Sequence, residues 1–359
     1  MLKSRLCIAF FAFAVGCAPA QKPLTDYVNP MLGTATLWDS VDLGFKPTKR
    51  TWGAEVFPGS SLPNAMVQVS PVTKFHSGAG YQYEDSVIYG FTHTNKGHWN
   101  LCHIPLLPVT GTPTPGDYCS PFSHERESAA PGYYQVFLDR YGVDAQLSST
   151  LRCAFHKYTY PAGAAASLLA DLQRSNEHVR AWDIRKEGDN VFAGWQQTGE
   201  KMYFYAVANR PVTGIEPVVE GDREVRIVRF GEGDGALELR IGFSFVSEKN
   251  ARENLEAEML GKSFAEVRSE ATATWNDLLG RIRVEGGTER EKGLFYSSLY
   301  RSFLWPALRS DVNGEFTDVD GKVINPGFRY YTGPSYWDDY RNKLILLGML
   351  APDVAADVI

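Results

Sequence analysis

The chain has 359 residues, of which 44% are hydrophobic and 22% charged, and its formal net charge is −6 at pH 7. This composition is typical of a globular protein with room for two domains, and no segment after the first twenty residues is apolar enough to span a bilayer. The absence of a basic cluster argues against nucleic acid as a partner, because phosphate binding depends on grouped Lys and Arg.

The first twenty residues are predicted to be a secretory signal peptide. Lys3 and Arg5 precede an apolar run, and small residues follow it at 18–20. Two routes remain open, namely cleavage after Ala20 or lipid attachment at Cys17 in an imperfect lipobox. Both predict export, to the periplasm, to the outer membrane as a lipoprotein, or to the extracellular space, and the only membrane contact expected is that lipid anchor.

The mature body would keep three cysteines, Cys102, Cys119 and Cys153. One pair could form a bridge in an oxidising compartment, but the sequence does not select it. We predict no essential disulfide.

Residues 21–246 are predicted to form an antiparallel β-sandwich. Apolar residues alternate with polar ones from Leu237 to Phe245, which buries one face of a strand and exposes Glu238, Arg240, Gly242 and Ser244 on the other. The same period occurs near 134–138, 143–147 and 225–227, between turns such as Pro131-Gly132 and Gly221-Asp222. No crossover helices interrupt these strands, so a parallel sheet is not expected.

The period becomes helical after Val246. Ser263 with Glu266, and Thr288 with Glu291, are capping boxes. The first precedes an apolar face of Phe264, Val267, Ala271, Trp275 and Leu278, and the second precedes Leu294, Phe295, Leu299 and Phe303. Further helices are predicted at 344–350 and from Pro352. We therefore divide the remainder into a helical linker at 247–285 and the start of a helical domain at 286–359.

The sequence ends at Ile359 inside a predicted helix, without a C-cap or a polar tail. We expect it to be a fragment whose helical domain continues.

The segment 91–103 concentrates three His, one Cys and two Asn. Three interpretations remain open: a zinc site, although the spacing matches no compact pattern, a packed loop that satisfies buried backbone groups, or a ligand loop. In the last, Trp99 would offer a flat face to a sugar ring while His98 and Asn100 bond its hydroxyls.

The segment 336–341 is the second candidate. Trp337 supplies an aromatic face and Asp338 a carboxylate that could accept from two neighbouring hydroxyls, while Arg341 could orient that carboxylate or bond a hydroxyl itself. The alternative is a first-turn acid favoured by the helix dipole, and this alternative is strong for Asp339. The chain lacks the phosphate-binding, dinucleotide and nucleophile-elbow motifs of other enzyme classes, and His124-Glu125 lacks the second His of a zincin.

These segments, in this order, resemble glycoside hydrolase family 92, a family of exo-acting α-mannosidases. The matching stretches fall at 26–34, 57–63 with 66–71, 89–94, 104–111, 131–134, 295–300, 310–314 and 335–341. They cover nearly the whole mature chain.

The resemblance implies an N-terminal β-sandwich followed by an (α/α)6 barrel, of which residues 286–359 would be the first helices. It implies hydrolysis of terminal α-mannosyl residues, in N-glycans or mannans and of α-1,2 or related linkage, with inversion and with the assistance of Ca2+. The catalytic carboxylates and most calcium ligands of the family lie in the part of the barrel that would follow Ile359, so none is named here.

By the same resemblance, Trp337 and Asp338 match the pair that grips the terminal mannose, and the loop around Trp99 lines the leaving-group side. That loop departs from the Gly-rich stretch of many relatives, which leaves linkage preference open. A non-catalytic glycan-binding protein is the alternative function. We expect the fragment alone to be inactive and poorly stable, because an incomplete barrel leaves apolar helix faces uncovered.

Overall fold

The computed structural model describes residues 22–36, 44, 56–96, 99–233, 235–332 and 336–359, with the side chains of 95, 96, 99, 336 and 338 left out. Two large antiparallel sheets contain most of the strands, which we number β1 to β21 in chain order. Within these ranges, no helix has both the length and the apolar character needed to cross a bilayer.

The first sheet has seven strands. In spatial order they are Ser60–Ser61 (β1), Gln68–Val72 (β2), Gly90–Thr92 (β4), Leu106–Val109 (β7), Ser167–Ala170 (β13), Arg223–Phe230 (β18) and Val212–Glu220 (β17). Each strand pairs antiparallel with its neighbour.

The second sheet has eight strands. In spatial order they are Ala181–Lys186 (β14), Val191–Gln197 (β15), Lys201–Ala208 (β16), Leu237–Ser244 (β19), Cys153–Thr159 (β12), Val143–Ser149 (β11), Tyr133–Leu138 (β10) and Glu127–Ala130 (β9). Three small antiparallel pairs complete the strands: Val87–Ile88 (β3) with Ser120–Pro121 (β8), Asn95–Lys96 (β5) with Trp99–Asn100 (β6), and Phe316–Thr317 (β20) with Val323–Ile324 (β21).

The two sheets share one apolar core, so the predicted sandwich is confirmed. Phe91, Leu168 and Ile227 from the seven-stranded sheet and Leu147 and Leu239 from the eight-stranded sheet are fully buried in the same cluster. The alternation of apolar and polar residues along each strand produces this layer, because successive side chains of a strand point to opposite faces.

The prediction that the second face of β19 is exposed is wrong for half of that strand. Glu238 and Arg240 are half-buried, but Gly242 and Ser244 are fully buried. The reason is the helix Glu248–Glu258 (α1), which packs on this face. A Cβ at Gly242 would come within 2.1 Å of the Ala251 carbonyl oxygen, so the glycine permits the close approach.

The remaining helices are Phe264–Leu279 (α2), Glu289–Ser302 (α3), Tyr336–Asp339 (α4), Lys343–Leu350 (α5) and Pro352–Val358 (α6), and short 3-10 helices occur at Leu24–Tyr27 and His124–Arg126. Both predicted capping boxes are present, at Ser263 and at Thr288. The predicted apolar face of α2 is buried throughout. The predicted face of α3 is wrong at Leu294, which is 41% exposed, because α3 instead buries Tyr296, Leu299 and Tyr300.

A pair of stacked histidines lies inside the sandwich. His93 and His156 are fully buried with their Nε2 atoms 3.1 Å apart, and His156 Nδ1 lies 2.5 Å from the Tyr158 hydroxyl. Burial lowers the pKa of His93 to about 3 and lowers the pKa of His156 well below its ordinary value. Both rings therefore stay neutral in the folded protein while they can protonate in the unfolded chain.

This pair predicts loss of stability in mild acid. A histidine whose folded pKa is depressed contributes full stability above its unfolded pKa of about 6.5, and each such ring removes about 1.4 kcal/mol per pH unit below it. We expect the free energy of unfolding, measured by denaturant titration, to fall by about 2 to 4 kcal/mol from pH 6.5 to pH 5. His156→Gln should reduce that slope, whereas His178→Gln, at an exposed position, should not. Equal slopes for the two variants would contradict the assignment.

Candidate functional site

The predicted segment 336–341 consists of the short helix α4 and, after it, a turn at 340–341. Trp337 is 86% exposed, so its indole is not enclosed in a core. Asp339 is buried beside Lys343, with Oδ1 3.6 Å from Nζ. Arg341 donates from Nε to the Tyr340 hydroxyl at 2.6 Å. The side chain of Asp338 lies outside the described residues, so contact between Asp338 and Arg341 remains a prediction.

The histidine-rich segment is largely internal. Asn100 is buried, its Oδ1 accepts from the Cys102 backbone N–H at 2.7 Å, and its Nδ2 lies 3.3 Å from the Thr92 hydroxyl. This is the packed-loop interpretation, and Asn100 has its amide engaged by the protein. His98 and the side chain of Trp99 lie outside the described residues, so their sugar contacts remain predictions.

A polar chain leads from this segment to the helical part. His103 Nε2 lies 3.1 Å from Glu177 Oε2 and 3.0 Å from the Thr198 hydroxyl, which donates to the same carboxylate oxygen at 2.6 Å. The Thr198 backbone N–H donates to the Glu200 carbonyl, and the Glu200 carboxylate lies 3.7 Å from Arg309 Nη2. These contacts connect His103 of the histidine-rich segment to Arg309, and we call the five residues the wall.

Arg309 occupies the helical end of that wall. The segment 307–309 pairs with 330–332 through Arg309 N to Tyr330 O and Thr332 N to Ala307 O, both 2.8 Å, and α4 begins four residues after Thr332. The guanidinium is buried, and its Cζ lies 4.0 Å from the centroid of the Phe245 ring. Burial lowers the pKa of Arg309, an effect that Glu200 opposes.

The sandwich and the helical part are joined by a buried carboxylate. Asp311 accepts from the Ser244 hydroxyl at 2.6 Å, from Asn254 Nδ2 at 2.7 Å and from Asn250 Nδ2 at 2.9 Å. Burial raises the pKa of Asp311, and the three donors act against that rise. The carboxylate thus ties the end of β19 and helix α1 to the segment that leads toward Trp337.

A second junction is the segment 57–65, which joins the sandwich to the helical part. Asn64 Nδ2 donates to the Pro306 carbonyl at 2.8 Å, and the Asn64 carbonyl accepts from the Leu308 N–H at 2.9 Å. The indole N–H of Trp275 donates to the Ser61 carbonyl at 2.7 Å. The two Asn64 bonds fix the segment 306–308 relative to the sandwich, and the Trp275 bond does the same for α2.

Within the described ranges, no group of three or more His, Cys, Asp or Glu side chains is placed to hold a metal ion. His98 of the segment 91–103 lies outside these ranges, so the zinc interpretation of that segment stays a prediction. The three described cysteines are free thiols, with Cys102 and Cys153 buried.

Two family models match the chain. The glycosyl hydrolase family 92 N-terminal domain matches residues 27–254, and the glycosyl hydrolase family 92 catalytic domain matches residues 250–359. The chain belongs to glycosyl hydrolase family 92. The border between the two family 92 domains falls in α1, just after the change from strands to helices.

Solved structures of family 92 proteins share this fold. A GH92 alpha-mannosidase from Bacteroides thetaiotaomicron is 26% identical, with a TM-score of 0.84 over 94% of this chain and 48% of its own. The same enzyme in complex with mannoimidazole gives a TM-score of 0.82 at 26% identity, over 94% of this chain and 47% of its own. A GH92 inverting mannosidase from Bacteroides thetaiotaomicron is 25% identical, with a TM-score of 0.81 over 94% of this chain and 48% of its own.

A curated relative, an uncharacterized secreted glycosidase of Arthroderma benhamiae, is 24% identical over 344 residues, which cover 80% of this chain and 42% of the relative. The chain spans about half the length of the relatives that it matches.

Sequence reasoning missed the wall residues Glu177, Thr198 and Arg309. They follow no motif: Glu177 and Thr198 meet within the sandwich, and Arg309 joins them only through its ion pair with Glu200. The segment 310–314 matched the family pattern, but the bonds of Asp311 to Asn250 and Asn254 required the tertiary structure.

Replacing Asp311 with Ala should destabilise the junction, because Ser244 loses its acceptor and the amides of Asn250 and Asn254 each lose one bond, keeping only those to Glu315 and to the Phe243 carbonyl. We expect the free energy of unfolding to fall by about 3 kcal/mol, since each unsatisfied buried group costs about 1–3 kcal/mol. The exposed Asp320→Ala provides the control and should change stability by less than about 0.5 kcal/mol. Comparable melting curves for both variants would show that Asp311 does not hold the junction.

Proposed function

We propose that this chain is part of an exported, exo-acting α-mannosidase that removes terminal mannose with inversion. The exposed indole of Trp337 in a family 92 chain is the observation on which this proposal rests. The similarity to two GH92 mannosidases, one of them solved with mannoimidazole, supports it. Similarity to a secreted glycosidase supports export.

The role proposed for Trp337 is to hold a sugar ring by its apolar face. A pyranose presents axial C–H bonds on one side, and a flat aromatic surface is attracted to them while it excludes water. Asp338, the adjacent residue in α4, would accept from two neighbouring hydroxyls, and charge-assisted bonds of this kind are stronger than neutral ones. Together they would fix which sugar and which end of the glycan enters.

We propose that the wall formed by His103, Glu177, Thr198, Glu200 and Arg309 borders the leaving-group side, and that His98 and Trp99 of the neighbouring loop contact the sugar there; Asn100, whose amide is engaged by the protein, supports that loop. His103, Glu177, Thr198 and Glu200 lie in loops next to the ends of strands, and Arg309 lies in the paired segment before α4. A preference for α-1,2 or related linkages, in N-glycans or mannans, would be set by this wall and loop.

Inversion requires an acid that protonates the leaving oxygen and a base that activates water, with about 6.5–9.5 Å between the carboxyl groups. The resemblance assigns both carboxylates to the second half of the family fold, together with the rest of the (α/α)6 barrel. The role proposed for the residues present here is therefore to bind and orient the sugar. Calcium dependence is general in the family, and the resemblance assigns most calcium ligands to the same second half.

The proposed grip is tested by Asp338→Ala in the protein expressed from its complete coding sequence. We expect kcat/KM for an α-mannoside to fall at least about 100-fold, since the loss of a charged hydrogen bond in the transition state costs about 3 kcal/mol. Circular dichroism and melting temperature should remain unchanged.

Asp353→Ala is the matched control, because Asp353 is an exposed first-turn acid of α6. It reproduces the loss of helix-dipole stabilisation without touching the sugar. Wild-type kinetics for Asp338→Ala would show that this residue is only a helix-terminal acid and does not bind the sugar. Sugar binding without any hydrolysis by the complete protein would favour the non-catalytic glycan-binding alternative.

Calcium removal should affect the complete protein and the 359-residue chain differently. Treatment with a chelator should abolish hydrolysis by the complete protein and be reversed by added Ca2+. The 359-residue chain should keep its melting temperature in the same chelator, because its described residues hold no ligand cluster. Full activity of the complete protein in chelator would remove the metal from the proposal.

A further inference from the structure

A cavity of about 460 Å³ opens beside strand β14, away from Trp337 in the sequence. It is lined by Gln173, Val179, Arg180, Ala181, Trp182 and Arg223. This volume is sufficient for one sugar ring, since small-molecule pockets span about 300–1,000 Å³. The lining combines an indole, an amide and two guanidinium groups.

The cavity carries an excess of positive charge. Arg223 Nη2 bonds Asp171 at 2.6 Å, and Arg174 Nε lies 4.0 Å from the same carboxylate, so one fully buried acid faces two arginines. Arg180 is exposed, and none of the ion pairs found in the described part of the chain involves it. The charge of Arg180 is therefore available to an anion from solution.

The cationic wall is held in place by the fold. Asp171 also accepts from the Tyr118 hydroxyl at 2.6 Å, which fixes the carboxylate that positions Arg223. Gln173 Oε1 accepts from the Glu224 N–H at 2.8 Å, and this orients its amide at the cavity. Arg180 N bonds the Gln197 carbonyl at 2.8 Å, so the loop that carries Arg180 is attached to β15.

Trp182 supplies an aromatic surface in the same lining. Its side chain is half-buried, and Arg226 Cζ lies 5.3 Å from the centroid of its ring. Arg226 is paired with Glu224 at 2.7 Å. An indole that is fixed by an arginine and partly open to a cavity is suited to the apolar face of a sugar ring.

Residues that line the cavity are close in sequence to residues of the wall described above. Glu177, which bonds His103 and Thr198, precedes Val179 by two residues, and Gln197 precedes Thr198. The loop 175–181 therefore borders the wall on one side and the cavity on the other. A glycan that extends from the wall along this loop would reach the cavity.

From this juxtaposition we propose that the cavity is a distal subsite for an anionic saccharide, with a sugar ring against Trp182 and its carboxylate or sulfate group bonded by Arg180 and Arg223. The proposal rests on the proposed function only for the direction of the glycan. The binding of the anionic sugar itself requires no hydrolysis.

The test measures, by isothermal titration calorimetry, the binding of three oligosaccharides of similar length to the protein expressed from its complete coding sequence and carrying Asp338→Ala, which weakens binding at the proposed mannose site. The probes are neutral mannotriose, trigalacturonate and a sulfated trisaccharide. We expect at least one anionic probe to bind at least tenfold more tightly than mannotriose, with an affinity that weakens as salt is added. The probe that binds identifies whether a carboxylate or a sulfate is recognised.

Arg180→Gln should weaken that binding at least tenfold. Arg268→Gln is the matched control, because it removes the same charge from an exposed arginine of α2 that lines a different cavity. Trp182→Leu should weaken binding of every probe that occupies the subsite. Equal affinity for neutral and anionic probes, or unchanged affinity in Arg180→Gln, overturns the proposal.

The two proposals can fail separately. Loss of mannosidase activity in the complete protein with anionic binding retained would refute the proposed function and leave the subsite standing. Hydrolysis of a neutral α-mannoside at the wild-type rate by Arg180→Gln, together with absent anionic binding in the wild type, would refute the subsite alone.

Discussion

The fold depends on polar contacts that are buried between the sandwich and the helices that follow it. Apolar packing brings the layers together without fixing their relative orientation, since it is non-directional. Asp311, with donors from Ser244, Asn250 and Asn254, has one arrangement in which all three bonds form. Directional bonds of this kind are costly to leave unmade, and they therefore select one docking of the two parts.

That docking determines where Trp337 is presented. The segment 307–309 is bonded to the turn at Asn64 on one side and to 330–332 on the other. These bonds hold the chain that leads to α4 in place relative to the sandwich. The polar wall from His103 to Arg309 crosses the same junction. The proposed site combines residues from both parts, so it would form only once this junction is made.

The histidine-rich segment shows that residue types typical of metal sites can have other contacts in the folded protein. His93 and His103 have the side chains of metal ligands, yet His93 is neutral and stacked inside the core, and His103 bonds Glu177 and Thr198. Hydrogen-bond partners lower the cost of burying an imidazole, and both nitrogens of His103 have them, on Thr94, Glu177 and Thr198.

The sequence by itself determined the alternating strands, the capping boxes of α2 and α3, and the order of segments typical of family 92, because these depend on local period and on short-range hydrogen bonds. The tertiary structure decided which side chains are buried, exposed or bonded through contacts between separate elements. It covered Gly242 and Ser244 with α1, exposed Leu294, engaged the amide of Asn100, and gathered Glu177, Thr198 and Arg309 into one wall. Glu177 and Thr198 are 21 positions apart, and Glu200 and Arg309 are more than a hundred apart. Even the nearer contacts, of Asn100 with Thr92 and of Gly242 with α1, depend on how the chain folds back and are not encoded in a local period.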